Sequence, residues 1–333
     1  MKRRRVIQML RATVGLFLLA AVHTLAAQAG SSVERLSAEI NRLIGPGAQI
    51  EKIAEGFQFI EGPVWVAAGG GEGAHLLFSD IPGDRVNRWD PENNSVQVVL
   101  EPIRLEQLQT GGTGGSNGLI LDSTGRLVLF EHGNRRVARL EADGSRTALA
   151  ERYAGKRLNS PNDGVFHSNG ALFFTDPPYG LPRQDDDPAK QLDHNGIYRL
   201  DPDGSVHLLA EQSRPNGIGL SPDEKTLYVA NSGVSERLWM FYQVHEDLTL
   251  GEGRIFFDAS RMQEPGAPDG LVVDREGNLW ATGPGGVLVL SPDGRHLGTI
   301  RLPELPANAT FDADEATLYM TARTGLYRLR RQE

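Results

Sequence analysis

A sixfold internal repeat runs through most of the chain and restricts the folds open to it. In each copy a polar residue, usually followed by glycine, opens a short apolar segment, and a turn then leads into a second apolar segment. Four copies are clear, at 117–130, 162–176, 216–230 and 269–282, and two are degenerate, at 61–80 and 308–320. Short apolar runs that alternate with Gly, Pro, Asn and Asp are typical of β-strands joined by tight turns. The repeat therefore indicates an all-β fold built from similar units.

The spacing of the copies predicts a six-bladed β-propeller. They begin at residues 61, 117, 162, 216, 269 and 308, so they are 39 to 56 residues apart, and a four-stranded blade takes about 40 to 50 residues. The last copy supplies only about three strands, and Ile50-Glu-Lys-Ile-Ala54 could add the outer strand and close the ring. We expect one propeller domain over residues 47–333. Two domains would need a linker, and the sequence has none.

The N-terminal segment follows a different pattern. Residues 1–29 have a basic start, an apolar stretch at 14–22 and the cleavage pattern Ala27-Gln-Ala29, as in a secretory signal peptide cut after Ala29. A membrane-spanning helix needs about 20 apolar residues, so no stable membrane anchor is expected after cleavage. We expect a periplasmic or secreted protein, with Sec and twin-arginine export both open. Residues 30–46 are expected to form a short helical or linker segment, with an amphipathic helix over 31–44.

Composition excludes several classes of function. The formal net charge of −9 argues against a nucleic-acid partner, because phosphate recognition needs a basic surface. The chain has no cysteine, which excludes disulfides, thiolate zinc sites, iron–sulfur clusters and cysteine nucleophiles. Any chemistry must therefore use oxygen or imidazole groups.

The residues that open the six copies are the strongest functional signal. All of them carry a carboxylate or carboxamide oxygen: Glu61, Asn117, Asn162, Asn216, Asp269 and Asn308. Blades are related by rotation about a central channel, so residues at one register of the innermost strands meet around the axis. Such an oxygen ring suits one divalent ion, with Ca²⁺ fitting best and Zn²⁺, Mg²⁺ or Mn²⁺ as alternatives. Any one of these residues could instead cap a turn, but six in register favour metal binding.

Several motifs at these positions resemble the SMP-30/gluconolactonase/LRE-like family, and most closely its bacterial gluconolactonase branch. They extend from about residue 50 to the end of the chain. The motifs are Phe59-Ile-Glu-Gly-Pro-Val-Trp65, Ser79-Asp-Ile-Pro82, Glu131-His-Gly-Asn-Arg-Arg136, Leu158-Asn-Ser-Pro-Asn-Asp-Gly164, Phe174-Thr-Asp-Pro-Pro-Tyr-Gly180, Arg214-Pro-Asn-Gly217 and Pro268-Asp-Gly270.

The resemblance implies a six-bladed propeller with one divalent metal in the channel mouth. The residues that match the family's metal ligands are Glu61, Asn162, Asn216 and Asp269. Asp269 also matches the residue assigned as general base or proton relay. Some animal members carry a substrate-contacting arginine two residues before the position of Asn162, where this chain has Ser160. The substrate side of the pocket is therefore expected to differ.

These residues predict a hydrolase that acts on a sugar lactone. A divalent cation can polarise the lactone carbonyl, and a carboxylate such as Asp269 can take a proton from the attacking water. Asn117, His132 and Tyr179 are the candidate substrate contacts, and Asp163 is a candidate support for the ligand beside it. Two alternatives remain: hydrolysis of other esters or of phosphotriesters, and a non-catalytic propeller that serves as a binding scaffold.

Overall fold

A computed structural model describes residues 30–106, 111–233 and 235–332 of the chain, and in it six antiparallel sheets follow one another, five with four strands and one with five. Blade 1 contains Ile60–Val66, His75–Asp80, Arg85–Asp90 and Ser95–Leu100. Blade 2 contains Ser116–Leu121, Leu127–Glu131, Arg136–Leu140 and Arg146–Ala150. Blade 3 contains Gly164–Phe166, Leu172–Asp176, Gly196–Leu200 and Val206–Glu211.

The second half of the chain continues the pattern. Blade 4 contains Pro215–Leu220, Thr226–Ser232, Arg237–Gln243 and Arg254–Asp258. Blade 5 contains Leu271–Val273, Leu279–Gly283, Gly286–Leu290 and His296–Arg301. Blade 6 contains Asn308–Phe311, Thr317–Ala322, Gly325–Arg330 and Ile50–Glu55. The predicted six-bladed propeller is confirmed. Between blades 2 and 3, Arg152–Tyr153 pairs with Lys156–Arg157. A short 3-10 helix, Gln184–Asp186, lies in the loop between the second and third strands of blade 3.

The ring is closed by a strand from the start of the domain, as the sequence predicted. Ile50–Glu55 pairs antiparallel with Gly325–Arg330, and Ile50 lies opposite Leu329. Blade 6 therefore combines both ends of the chain. Main-chain pairing between the ends removes the open sheet edge that three strands would leave.

The segment before the propeller corrects one expectation. The amphipathic helix predicted over 31–44 is limited to Ile40–Leu43. Ser32–Arg35 is instead a fifth strand of blade 5, with Val33 opposite Ile300. The edge of blade 5 offers unpaired backbone groups, and pairing with them satisfies the segment better than a short isolated helix. Val33, Ile40 and Ile300 still share one apolar cluster. The predicted burial of the apolar residues is therefore confirmed, and the predicted helical conformation of residues 31–39 is wrong.

The core lies between the blades, with one apolar cluster at each of the six interfaces. Successive side chains of a strand point to opposite faces. Phe173 therefore packs against blade 4, whereas its neighbour Phe174 packs against blade 2. Each blade is covered on both faces, which explains why the second strands are almost continuously apolar.

The described residues contain no candidate membrane-spanning helix. In the described ranges, which begin at residue 30, no helix has the length and apolar character needed to cross a bilayer. The signal peptide predicted at residues 1–29 lies outside the described residues.

Candidate active site

The six residues that open the innermost strands lie together at one end of the channel. Backbone hydrogen bonds join neighbouring inner strands at this level: Gly118 N donates to Asn162 O at 2.8 Å, and Gly217 N donates to Asp269 O at 3.2 Å. The circle closes between the last blade and the first, where the side chain of Asn308 lies within hydrogen-bonding reach of Glu61. Rotation thus gathers residues that are far apart in sequence, as the repeat predicted.

Glycine after the ring residue allows this close approach. Gly62 has a φ of 55°, and a Cβ there would lie 2.1 Å from Asn117 O. A Cβ on Gly270 would lie 2.0 Å from the carboxamide carbon of Asn308. Any larger residue at these two positions would push the neighbouring inner strand away. At these two positions the glycine is therefore a packing requirement of the ring.

Hydroxyl groups at the ends of second strands brace the same level. Thr175 Oγ1 donates to Asn216 O at 2.8 Å, and Thr282 Oγ1 donates to Ala307 O at 2.7 Å. Each bond crosses from one blade to the inner strand of the next. Sequence reasoning did not identify these residues, although a repeated Ser or Thr near the end of the second apolar run marks them.

Three carboxyl groups share the site. Burial raises the pKa of Glu61 to about 7, and the nearby Asp163 adds to the effect. Burial, followed by the charge of Glu61, raises the pKa of Asp269 well above its usual range. Burial also raises the pKa of Asp163 to about 7. Like charges held in a desolvated space destabilise one another, so these carboxyls either keep protons or need a positive partner.

Two carboxamide oxygens of the ring have no hydrogen-bond donor. Asn117 Oδ1 and Asn216 Oδ1 are both buried and unpartnered. The oxygen of Asn308 differs, because it accepts from Ala309 N at 2.8 Å. Buried oxygens are rarely left without a partner, so two of these three carboxamides present acceptors to something in the channel.

This donor set fits a hard divalent cation. The mutually repelling carboxyls of Glu61 and Asp269 supply negative charge, and the orphaned amide oxygens supply neutral oxygen ligands of the kind Ca²⁺ accepts. Among the described residues, no three His, Cys, Asp or Glu side chains stand close enough together to hold one metal ion, so Asp163 acts on Glu61 and Asp269 through its charge. The ring residues are Glu, Asp and Asn alone, which differ from the nitrogen and sulfur donors of structural zinc sites.

Tyr179 lies beside the ring on the long loop 177–195 of blade 3. Burial raises the pKa of Tyr179 to about 12, and its hydroxyl lies within reach of Ser232 and Asn216. The charges of Asp269 and Arg214 also affect it. The predicted substrate residue thus stands next to two predicted metal ligands.

His132 is buried against the start of the loop that carries Tyr179, where a Cβ on Gly180 would lie 2.9 Å from His132 Cβ. Its main chain lies under the 111–115 loop, where a Cβ on Gly112 would come within 2.6 Å of His132 O. Burial lowers the pKa of His132 to about 4, and Nε2 has no hydrogen-bond partner. The imidazole is therefore neutral near pH 7. A contact between His132 and substrate stays a prediction.

Ser160 has a clear local role. Its Oγ donates to Pro177 O at 2.6 Å and accepts from Gly180 N at 2.8 Å. Thr113 N also donates to Gly180 O at 2.6 Å. Ser160 and the glycine-rich 111–115 segment therefore hold the start of the loop that carries Tyr179.

A family model described as the SMP-30/Gluconolactonase/LRE-like region matches residues 59–324. The chain belongs to this family. It is 36% identical over 312 residues to a gluconolactonase of Zymomonas mobilis, covering 90% of this chain and 85% of that protein. It is 31% identical over 278 residues to regucalcin of Oryctolagus cuniculus, covering 80% and 84% respectively. A solved structure of a Xanthomonas campestris gluconolactonase matches with a TM-score of 0.78 at 36% identity, covering 90% of this chain and 94% of that one.

Membership of the SMP-30/gluconolactonase family confirms the resemblance, and two of these relatives bear the name of a lactone-hydrolysing enzyme. The predicted class of enzyme, a lactone hydrolase, is confirmed. The roles of the individual ring residues stay predictions.

One short sequence pattern in this chain matches the motif of a serine nucleophile. Gly114-Gly-Ser-Asn-Gly118 has the Gly-x-Ser-x-Gly spacing of a serine nucleophile. Ser116, however, opens a strand rather than a turn into a helix, and its buried Oγ lies 2.8 Å from Ser79 Oγ. That hydroxyl braces blades 1 and 2, and the local fold lacks the strand–turn–helix elbow that exposes a nucleophile.

Proposed function

We propose that this chain hydrolyses sugar lactones at the channel mouth, with one divalent cation held by Glu61, Asn162, Asn216 and Asp269. Ca²⁺ is the ion that the oxygen donors fit best. The observation that carries the proposal is the pairing of desolvated carboxyls with unpartnered carboxamide oxygens on one ring. A binding scaffold would have no use for such an unbalanced set of buried groups.

A bound cation would polarise the lactone carbonyl as a Lewis acid and lower the pKa of nearby water. Asp269 acts as the base, because the residue keeps some solvent exposure whereas Glu61, the other acid of the ring, is buried. Tyr179 contacts the substrate hydroxyls from the loop above, and its high pKa keeps the phenol protonated as a donor. The neutral His132 and the free oxygen of Asn117 complete the polar wall.

The reaction conserves its protons. Water forms a bond to the carbonyl carbon, and Asp269 takes one proton from that water. The ring C–O bond then breaks, and the same proton goes to the leaving ring oxygen. The new carboxylic acid ionises at neutral pH, so each turnover releases one proton to solvent.

We further propose that the mature chain begins after Ala29 and acts outside the cytoplasm. The basic start, the apolar stretch at 14–22 and the Ala27-Gln-Ala29 pattern support this assignment. N-terminal sequencing of protein recovered from the periplasm or medium tests it. A chain that starts at residue 1 and stays in the cytoplasm would contradict it.

The released proton gives the test of the main proposal. Titration at constant pH should show hydrolysis of 1,5- and 1,4-aldonolactones above the spontaneous rate. Chelation should abolish it, and Ca²⁺, Mg²⁺, Mn²⁺ and Zn²⁺ should be added back separately. Glu61→Gln, which keeps the side-chain shape and removes a charge, should lose metal-dependent activity. If no lactone is cleaved but simple esters or phosphotriesters are, the substrate assignment is wrong; if nothing is cleaved, the scaffold function is favoured.

A further inference from the structure

Ser232 connects three parts of the site. It ends the second strand of blade 4, Thr226–Ser232, at the channel mouth. Its Oγ donates to Pro268 O, the carbonyl just before Asp269, and accepts from Asn216 Nδ2 at 3.1 Å. The hydroxyl of Tyr179 lies within hydrogen-bonding reach of the same Oγ. One side chain thus touches blade 4, blade 5 and the loop of blade 3.

The hydrogen-bond chain has only one possible direction. A carbonyl oxygen such as Pro268 O can only accept, so the single proton of the Ser232 hydroxyl goes to it. The Ser232 oxygen then has only lone pairs to offer Asn216, which must turn its NH₂ toward the serine. The carboxamide oxygen consequently faces the opposite way. That oxygen is buried without a partner.

We propose that Ser232 is a positioning residue that fixes the carboxamide of Asn216 with its oxygen toward the channel and ties it to the backbone that carries Asp269. The proposal rests on the proposed role of Asn216 as a metal ligand. The main chain of Asn216 is held separately, because Thr175 Oγ1 donates to its carbonyl. Only rotation of the side chain is left for Ser232 to control.

Asn308 shows what happens to a ring carboxamide with different neighbours. Its oxygen accepts from Ala309 N at 2.8 Å, and its NH₂ donates to Asp163 Oδ2 at 3.3 Å. Both ends of this carboxamide are occupied by protein groups. The same ring position therefore presents a free oxygen at Asn216 and none at Asn308, because Ala309 N donates to the Asn308 oxygen whereas Gly217 N donates to Asp269 O.

The test measures Ca²⁺ binding by calorimetry on the full mature chain, with no substrate present. Ser232→Ala removes one acceptor of the Asn216 NH₂ and leaves the Asp269 carboxylate, which is also within its reach, so Ca²⁺ affinity should fall about tenfold, as for other residues that orient metal ligands. Ser232→Thr keeps the hydroxyl and should keep most of the affinity. Ser291→Ala is the matched control: this buried serine makes similar bonds to Asp293 and Arg295, at the end of a third strand on the opposite face.

A double mutant distinguishes the orientation of the Asn216 carboxamide from a general effect of Ser232→Ala on folding. Asn216→Asp presents an oxygen in either rotamer, so adding Ser232→Ala to it should change Ca²⁺ affinity less than twofold. Two results overturn the proposal while leaving the proposed function intact: wild-type affinity in Ser232→Ala, or a loss on Ser232→Ala that is equal with and without Asn216→Asp. A wild-type chain that binds no divalent cation overturns both. Near-ultraviolet circular dichroism of each variant verifies the fold.

Discussion

Asn308 Nδ2 lies 3.3 Å from Asp163 Oδ2, although 145 positions separate the two residues in sequence. Asn308 opens blade 6 and Asp163 belongs to blade 3, which stands on the opposite side of a six-bladed ring. The two side chains therefore meet near the axis and close the floor of the site. Beyond them, a space of about 220 Å³ lined mainly by aliphatic side chains such as Val64 and Val165 continues along the channel.

Because Asp163 raises the pKa of both Glu61 and Asp269, the floor is electrostatically part of the site. Asp163→Asn should weaken Ca²⁺ binding about threefold to tenfold, since affinity follows the number of charges around the ion. It should also raise the melting temperature of chelated protein at pH 8, where the three acids repel one another. At pH 5, where Asp163 is protonated, the variant should gain nothing and lose the bond from Asn308. Calorimetry and thermal melts at both pH values check this; equal Ca²⁺ affinity would show that Asp163 only packs.

A substitution at Asp269 should affect turnover more than metal binding. Asp269→Asn keeps an oxygen in the ring but removes the base, so kcat should fall about 10²- to 10⁴-fold, the usual contribution of proton transfer. Saturating Ca²⁺ should not restore it. Initial rates of lactone hydrolysis at several Ca²⁺ concentrations measure the effect. Full turnover by a metal-loaded variant would exclude the base role.

The pH dependence of the chelated protein follows from the direction of the shifts. The pKa of Glu61 and of Asp163 is about 7 in the folded protein, above the usual 4.3 and 3.9. The folded state therefore binds protons more tightly, and this stabilisation is complete below about pH 4 and is lost as pH rises through 7. The melting temperature should be about 5 °C lower at pH 8 than at pH 5.

Calcium should reverse that trend, because the ion replaces the protons as the positive partner. In excess Ca²⁺, the melting temperature at pH 8 should equal or exceed that at pH 5. Scanning calorimetry with and without chelator gives both curves. A chelated protein whose stability rises from pH 5 to pH 8 would mean that the ring carboxyls are not the dominant titrating groups.

Glu304 connects the two strands that close the propeller ring. Glu304 bonds Lys52 of the closing strand at 2.9 Å and Tyr327 Oη of its partner strand at 2.8 Å. Burial would raise the pKa of Glu304, but hydrogen bonds from Thr324 and Lys52 outweigh it and lower the pKa to about 2. Glu304→Gln should cost about 1–2 kcal/mol of unfolding free energy at pH 7.

The effect of Glu304→Gln has a definite pH window. A lowered pKa contributes stability that is present above the usual value of about 4.3 and is lost as pH falls toward 2. Urea unfolding at pH 7 and pH 3 should show a smaller difference at pH 3. Glu55→Gln is the matched control, because this exposed glutamate also contacts Lys52, at 3.0 Å. Equal costs at the two positions would contradict a special role for Glu304.

The parts of the site that could be predicted are those that the repeat places. Glu61, Asn216 and Asp269 share one register, and rotation alone brings them together. The closing strand was predictable for the same reason, since blade 6 lacked one strand by count. Ser32–Arg35 could not be predicted, because its partner is the edge of blade 5, more than 260 residues away in sequence.

The walls of the site escaped prediction for a related reason. Ser232 acts through Pro268 O and the Asn216 carboxamide, contacts that depend on which way a side chain turns and not on its register. The loop 177–195 joins the second and third strands of blade 3, and in the other blades the bounds of these strands leave only two to four residues between them, so the repeat says nothing of its path. Only the position of Tyr179 in a family motif indicated that this loop reaches the site.

An ion pair holds the loop 177–195 against blade 4. Asp185 forms an ion pair with Arg214, which lies two residues before Asn216, and Asn195 Nδ2 donates to the same carboxylate at 3.0 Å. The pair ties the loop that carries Tyr179 to the strand that carries a proposed metal ligand. Asp185→Asn should raise KM for the lactone about threefold to tenfold and change kcat less, because a loosened loop weakens substrate contacts without altering the ring.

Ionic strength and exchange of the charges distinguish this positioning from a packing effect. The pair is half-exposed, so salt should raise KM of the wild type toward that of Asp185→Asn and leave the variant unchanged. Exchanging the charges in Asp185→Arg with Arg214→Asp should recover part of the loss, and Asp186→Asn, an exposed neighbour in the same short helix, should have no effect. If Asp185→Asn lowers kcat and leaves KM unchanged, the loop contributes to the chemical step, and the ion pair does not position substrate.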